Sequence, residues 1–247
     1  MQPCVIFGIP SYDNRVCYEF FGSMLDTERL LTCQQISHGY IGLGGDQFIA
    51  RVRNKLATQF LRDYPEGTDL FFLDDDIGWP AEKIVEFLKR PEDIVAGIYP
   101  KRQDKSDFPV EFAADPDGGA LIERNGLIKA LAAPAGFMRI RRHVLERMAP
   151  AAGVFHEREA DGRQATYYDI FRTGVVNEEF SGEDFLFCQN ARLAGFEIWV
   201  DPNIDFTHRG TKAWSGNLSL HLRTFHKQAR SDASQPMETI GAAAHKD

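Results

Sequence analysis

The chain has no paired cysteines, no surplus of positive charge, no long apolar run and no glycine-rich phosphate loop, and each absence removes a class of protein. Its four cysteines, Cys4, Cys17, Cys33 and Cys188, are scattered singly through 247 residues. They form neither the CxxC pairs of a zinc site nor the density of a disulfide scaffold, and reduced thiols fit them best. Against 28 Lys and Arg stand 36 Asp and Glu, a net charge of -8. Nucleic acid and anionic membranes are held by basic surface that neutralises phosphate, so neither is an expected partner and any phosphate site must be local. No stretch reaches the ~18 apolar residues of a membrane span. Met1-Gln2-Pro3-Cys4-Val5 leads into strand-like sequence rather than a charged signal-peptide start, so the expected location is the cytoplasm.

What is present is enough apolar material, 43% of residues with 12% aromatic, to bury a substantial core. Cys4 to Pro10 reads as a first strand, closed by Pro10 and followed by a polar loop. From Asp46 to Arg62, Phe48, Ile49, Val52, Leu56, Phe60 and Leu61 recur at helical spacing, with Asp46 as the expected N-cap and Arg51, Arg53, Asn54 and Lys55 on the other faces. A strand over Leu70–Leu73 follows, then a helix opened by Pro80 and packed through Ile84, Phe87 and Leu88, then a strand over Ile94–Tyr99. Such alternation predicts an α/β fold with a mostly parallel mixed central sheet flanked by helices, in which ligands gather beyond the carboxyl ends of the strands. The later half is less regular. It offers a strand over Gly136–Ile140, a polar segment from Gly174 to Gly182, a helix from Glu183 that stops at Gly195, and a strand over Glu197–Val200. One domain over 1–227 is expected, with a ligand-binding half to about residue 100 and a second half over 101–227. Residues 228–247 lack periodicity and read as a mobile tail.

The densest chemistry is Asp74-Asp75-Asp76, directly after the apolar Leu70–Leu73 run. In extended chain, side chains alternate faces, so Asp74 and Asp76 are expected on one side and Asp75 on the other. Adjacent carboxylates repel unless compensated, and hard divalent cations take carboxylate oxygens together with substrate phosphates. An EF-hand calcium loop is excluded, because counting from Asp74 places Trp79 where glycine is needed and Val85 where an acid is needed. A solvated acidic turn at a helix start is the plainer alternative.

In order along the chain stand Pro10-Ser11-Tyr12-Asp13, Ala50-Arg51-Val52-Arg53-Asn54, Leu73-Asp74-Asp75-Asp76, Gly182-Glu183-Asp184 and His208. This ordered set resembles the GT-A (Rossmann-like) glycosyltransferases, particularly the family 2-like, bacterial and phage-type transferases, over roughly Val5 to Trp214. The resemblance implies a nucleotide-diphosphate sugar donor such as a UDP- or GDP-sugar, Mn²⁺ or Mg²⁺, and transfer to a hydroxyl acceptor, a saccharide or lipid-linked glycan. It implies Asp76 as a metal ligand, Asp74 as a ligand or a donor-ribose contact, and His208 as the residue completing the metal site, with imidazole suiting Mn²⁺ better than Mg²⁺. Asp184 becomes the general base of an inverting reaction, with Glu183 orienting the acceptor. Pro10, Tyr12 and Asp13 would line the base pocket. Among Arg51, Arg53 and Asn54 one or two would contact the donor, the alternative being a solvated helix face. Asp75, Lys101, Arg102, Arg209 and Lys212 are further donor contacts, the basic ones by charge-assisted bonds. Trp79 and Trp214 either stack on sugars or belong to the core, and His221 and His226, five apart, read as structural. A sugar-nucleotide nucleotidyltransferase and a catalytically silent nucleotide-sugar binding module share much of this pattern and stand as the two alternatives.

Overall fold

The computed structural model describes residues 2–104, 107–115, 119–159 and 162–224. The first half consists of β1 (Cys4–Ser11), α1 (Tyr18–Cys33), β2 (Ser37–Gly44), α2 (Ile49–Asp63), β3 (Asp69–Leu73), β4 (Ile77–Gly78), α3 (Glu82–Lys89) and β5 (Ile94–Gly97). The short strands β6 (Glu111–Phe112) and β7 (Glu123–Arg124) precede β8 (Leu127–Ala132), β9 (Phe137–Arg141) and α4 (Arg142–Met148). Two hairpins follow, β10 (Gly153–Arg158) with β11 (Gln164–Asp169), and β12 (Gly174–Val176) with β13 (Glu179–Ser181). The last elements named are α5 (Glu183–Leu193), β14 (Ile198–Asp201), β15 (Phe206–Arg209) and β16 (Ala213–Gly216).

The central sheet runs β2-β1-β3-β9-β5-β14-β8-β6, with β7 paired to β8. It is mixed. Pairing is parallel at β2-β1-β3 and β5-β14, while β9 and β8 run against the other seven strands. Strand geometry then divides the core. Because successive side chains point to opposite faces, Leu70 and Phe72 of β3 pack with Val52, Leu56 and Phe60 of α2, Val144 and Leu145 of α4 and Phe187 of α5. Phe71 and Leu73 pack on the other side with Phe20 and Leu31 of α1 and with Ile84 and Phe87 of α3. The result is a sheet covered by helices on both faces, the arrangement that near-continuous apolar strands such as β3 require.

Some expected boundaries move. The second helix begins at Ile49 rather than Asp46. Asp46 instead accepts the Phe48 amide at 2.9 Å and pairs with Arg51, holding the loop that leads in. The polar segment expected over Gly174 to Gly182 is the β12–β13 hairpin. Helix α5 ends as expected ahead of Gly195, whose φ of +95° is a left-handed conformation that favours glycine. Trp79 is core: it is buried, packs edge-on against Phe20 and donates its indole N–H to Thr27 at 3.1 Å. All four cysteines are free. Among the described residues no helix is long and apolar enough to cross a membrane. The tail expected over 228–247, and His226, lie outside the described residues.

Candidate active site

Beyond the carboxyl ends of β1, β3 and β5, two guanidinium groups organise the acidic residues. The first belongs to Arg53. It was expected on a polar or donor-facing side of its helix; its side chain is instead 4% exposed. Its Nη2 donates to Asp74 Oδ1 at 2.9 Å and its Nε to Glu183 Oε1 at 3.2 Å, and its guanidinium lies over the Phe72 ring. Burial opposes its charge, but Asp74 and Glu183 outweigh burial and raise its pKa. One buried cation thereby joins the acid after β3 to the pair that opens α5, 130 positions beyond Arg53 itself.

Asp74 is held at both its amide and its carboxylate. Its backbone amide donates to Gly136 O at 2.8 Å, and Oδ2 accepts from the Tyr99 hydroxyl at 3.0 Å. A Cβ at Gly136 would overlap both Asp74 Oδ2 and the Tyr99 oxygen, so this approach requires glycine. Burial, then the neighbouring Asp74 charge, raises the Tyr99 pKa well above that of an ordinary phenol and keeps it a donor.

The neighbouring residue Asn54 was also expected near the donor. It is buried and structural: its Nδ2 donates to Asp169 Oδ1 at 2.7 Å, and its Oδ1 accepts the Phe171 amide at 2.6 Å. Phe171 is clamped between Phe72 of β3 and Phe187 of α5, with centroids 5.2 and 4.4 Å away, so Asn54 helps to seat the helix that carries Glu183 and Asp184.

Gly182 caps α5 without a side chain, leaving Glu183 and Asp184 in its first turn. The helix dipole favours acids there. Burial nevertheless pushes the Asp184 carboxyl up to about 6; the adjacent Glu183 charge adds to the rise, and Arg53 and the Phe185 amide oppose it. A carboxyl poised near neutrality is suited to accept a proton.

The second guanidinium belongs to Arg102. Strands β15 and β4 pair antiparallel with His208 opposite Ile77, and the Arg209 amide donates to Asp76 O at 2.7 Å, which sets His208 beside Asp76. His208 Nδ1 lies 2.7 Å from the Pro100 carbonyl, which can only accept, so Nδ1 carries the proton and Nε2 presents a lone pair. That lone pair accepts from Arg102 Nε at 2.9 Å, while Arg102 Nη2 forms an ion pair with Asp76 Oδ2. Asp76 Oδ1 stands 3.5 Å from His208 Nε2. Burial, with the Arg102 charge, lowers the His208 pKa and keeps the ring neutral.

A carboxylate oxygen and an imidazole nitrogen turned toward one cation form a donor set that suits Mn²⁺. The expected third ligand is not brought to it. Strand β3 ends at Leu73 and residues 75–76 form a turn, so strand alternation does not set Asp74 beside Asp76. Asp74 faces Arg53 and Tyr99 instead. Among the described residues no group of three His, Cys, Asp or Glu side chains is arranged to hold a metal ion.

The remaining expected residues are spread around the rim. Pro10 is buried in β1, paired with Leu43, and Tyr12 is exposed beyond the strand end. Asp13 lies 3.8 Å from Arg15. Asp75 turns to Ser11, and burial outweighs that hydrogen bond in raising its pKa. The cations expected at the donor each have an acid: Arg51 binds Asp46, Lys101 binds Asp107, Lys212 binds Asp104, and Arg209 forks onto Glu19 at 2.6 and 3.2 Å. Sequence reasoning missed Tyr99, Gly136 and Glu19. Only Tyr99 carried a signal, a lone hydroxyl closing an apolar strand run.

No protein family and no curated protein matches the chain. Among solved structures it is similar, at 15% identity and a TM-score of 0.32, to a glycosyltransferase involved in the glycosylation of the major capsid of PBCV-1. The alignment covers 58% of this chain and 63% of that one, so the chain spans less than two thirds of that neighbour's length. A TM-score this low carries no weight for fold or activity.

Proposed function

We propose that the chain is a metal-dependent, inverting glycosyltransferase of GT-A, family 2-like type. It moves a sugar from a nucleotide-diphosphate donor such as a UDP- or GDP-sugar to a hydroxyl of a saccharide or lipid-linked glycan. The observation that carries the proposal is the Arg53 bridge, which ties the Asp cluster to the Glu183–Asp184 pair in one buried charge network at the strand ends. Neither the solvated acidic turn nor an ordinary helix start calls for that connection.

In the mechanism, Asp184 removes the acceptor hydroxyl proton while the acceptor oxygen bonds to the anomeric carbon. The carbon–oxygen bond to the diphosphate breaks, and its electron pair leaves on the β-phosphate oxygen. Glu183, fixed by Arg53, orients the acceptor. Tyr12, Asp13 and Asp75 border the nucleotide pocket. Asp76 and His208 would hold Mn²⁺ or Mg²⁺; a bound ion would supply charge neutralisation for the departing diphosphate.

The test is a panel of UDP-, GDP- and dTDP-sugars with Mn²⁺, followed for donor hydrolysis and transfer. Asp184→Asn is expected to lower turnover by about 10²- to 10⁴-fold, the usual contribution of a positioned base. Turnover unchanged in Asp76→Ala overturns the metal role. Pyrophosphate-dependent exchange would mark a nucleotidyltransferase, and nucleotide binding without turnover a silent module.

A further inference from the structure

The Asp76–His208 pair already holds a cation, and it comes from the protein itself. Arg102 lies five residues beyond the end of β5 with its side chain 46% exposed, yet its fork is used in full toward the site, Nη2 on Asp76 and Nε on His208 Nε2. Two features make this a built arrangement. The Pro100 carbonyl fixes the His208 tautomer, so that Nε2 must accept, and the Tyr99 ring, 4.8 Å away edge-on, holds the imidazole plane. The chain that carries Arg102 is also anchored, because the Lys101 amide donates to Asp107 O at 2.8 Å. A neutral imidazole lone pair beside a carboxylate oxygen is electrostatically unfavourable unless something positive lies between them, and the guanidinium meets that need.

We propose that Arg102 is an internal competitor for the cation site: it occupies the Asp76–His208 pair in the resting protein and must leave before a divalent ion can bind there. The proposal rests on the metal site proposed above and adds a residue that sets its affinity. Since the Arg102 side chain is about half exposed, its release asks for side-chain rotation and no rearrangement of the sheet. The affinity for the ion is then reduced by the fraction of molecules in which Arg102 is docked.

Direct titration of Mn²⁺ into the full chain without donor, followed by the electron paramagnetic resonance signal of free Mn²⁺, tests this independently of turnover. Arg102→Gln is expected to bind Mn²⁺ about tenfold more tightly than the parent, as follows if about one molecule in ten has Arg102 undocked. Arg102→Lys, which keeps the charge but cannot fork, is expected to fall between them. Adding Asp76→Asn to Arg102→Gln is expected to remove the gain. Equal affinities for the parent and Arg102→Gln, both lost in Asp76→Asn, would overturn the competitor while leaving the metal site intact. Binding that ignores Asp76→Asn, or no binding in any variant, would overturn the metal site and the competitor with it.

Discussion

Arg53 and Arg139 are both buried in the same molecule, one at the carboxyl end of β3 and the other beside its amino end, and their surroundings differ. Arg139 donates to Asp69 Oδ1 at 3.3 Å and to the Glu92 carbonyl at 2.6 Å. Burial lowers its pKa to about 10, with Asp69 only partly compensating. Arg53 is surrounded by the charges of Asp74, Glu183 and Asp184, which together raise its pKa. At Arg139 the carboxylates of Asp69 and Asp93 stand against the cations Arg139 and Arg141, with neutral carbonyls beside them. At Arg53 the acids outnumber it. Balanced charge in a core serves structure, whereas an excess of one sign at the ends of strands is what the cation proposed above would offset.

The largest effect should come from Arg139→Met, which leaves Asp69 buried without its partner and is expected to cost about 3–5 kcal/mol in urea unfolding. Arg53→Met is expected at the low end of that range, because Asp74 and Glu183 keep some solvent. Unlike the Arg139 change, it should also abolish turnover in the protein that remains folded. If both variants lose stability alone, the contrast between the two ends fails.

Next in size is Asp184. Its folded pKa of about 6 exceeds the ordinary 3.8, so the folded state binds more protons across that window. Stability is therefore lost as pH rises from about 4 to about 6 and is flat in this term above it. Asp184→Asn is expected to recover on the order of 2 kcal/mol at pH 8, after allowance for partial exposure. Turnover of the parent should rise with pH through about 6, where the base becomes ionised. A pH-independent melting difference between parent and variant would remove the claim that the acceptor-side acids are held at a cost.

The smallest change is Tyr99→Phe, which removes one donor to Asp74 and should cost about 1 kcal/mol. Its value lies in location. An equal loss with unchanged turnover would place Tyr99 in support of Asp74 alone.

The pieces of the site that could be read from sequence were those announced locally. Asp74 to Asp76 stood out because an apolar run ended in charge, and Glu183–Asp184 because a glycine preceded a helical pattern. The bridge made by Arg53 could not be read. That residue's helical position grouped it with solvated Arg51, and only the fold shows α2 pressed against Asp74 and α5. Asn54 misled for the same reason, since its partners lie 115 and 117 residues away. The expected pairing of Asp74 with Asp76 failed where strand geometry gave way to a turn, a boundary that no run of three identical residues can mark. Antiparallel β9 was legible as a strand, but its place between β3 and β5 was not, because register and order follow from tertiary packing.

That placement of β9 has a consequence for how the protein is made. Both neighbours of β5, β9 and β14, are encoded after it, so a nascent chain leaving the ribosome carries β5 with two open edges until residue 141 has emerged and with one open edge until residue 201 has emerged. The platform beneath Asp74 closes late, since the Gly136 carbonyl that fixes it belongs to the same delayed stretch. Any fragment ending near residue 100 exposes a raw apolar edge.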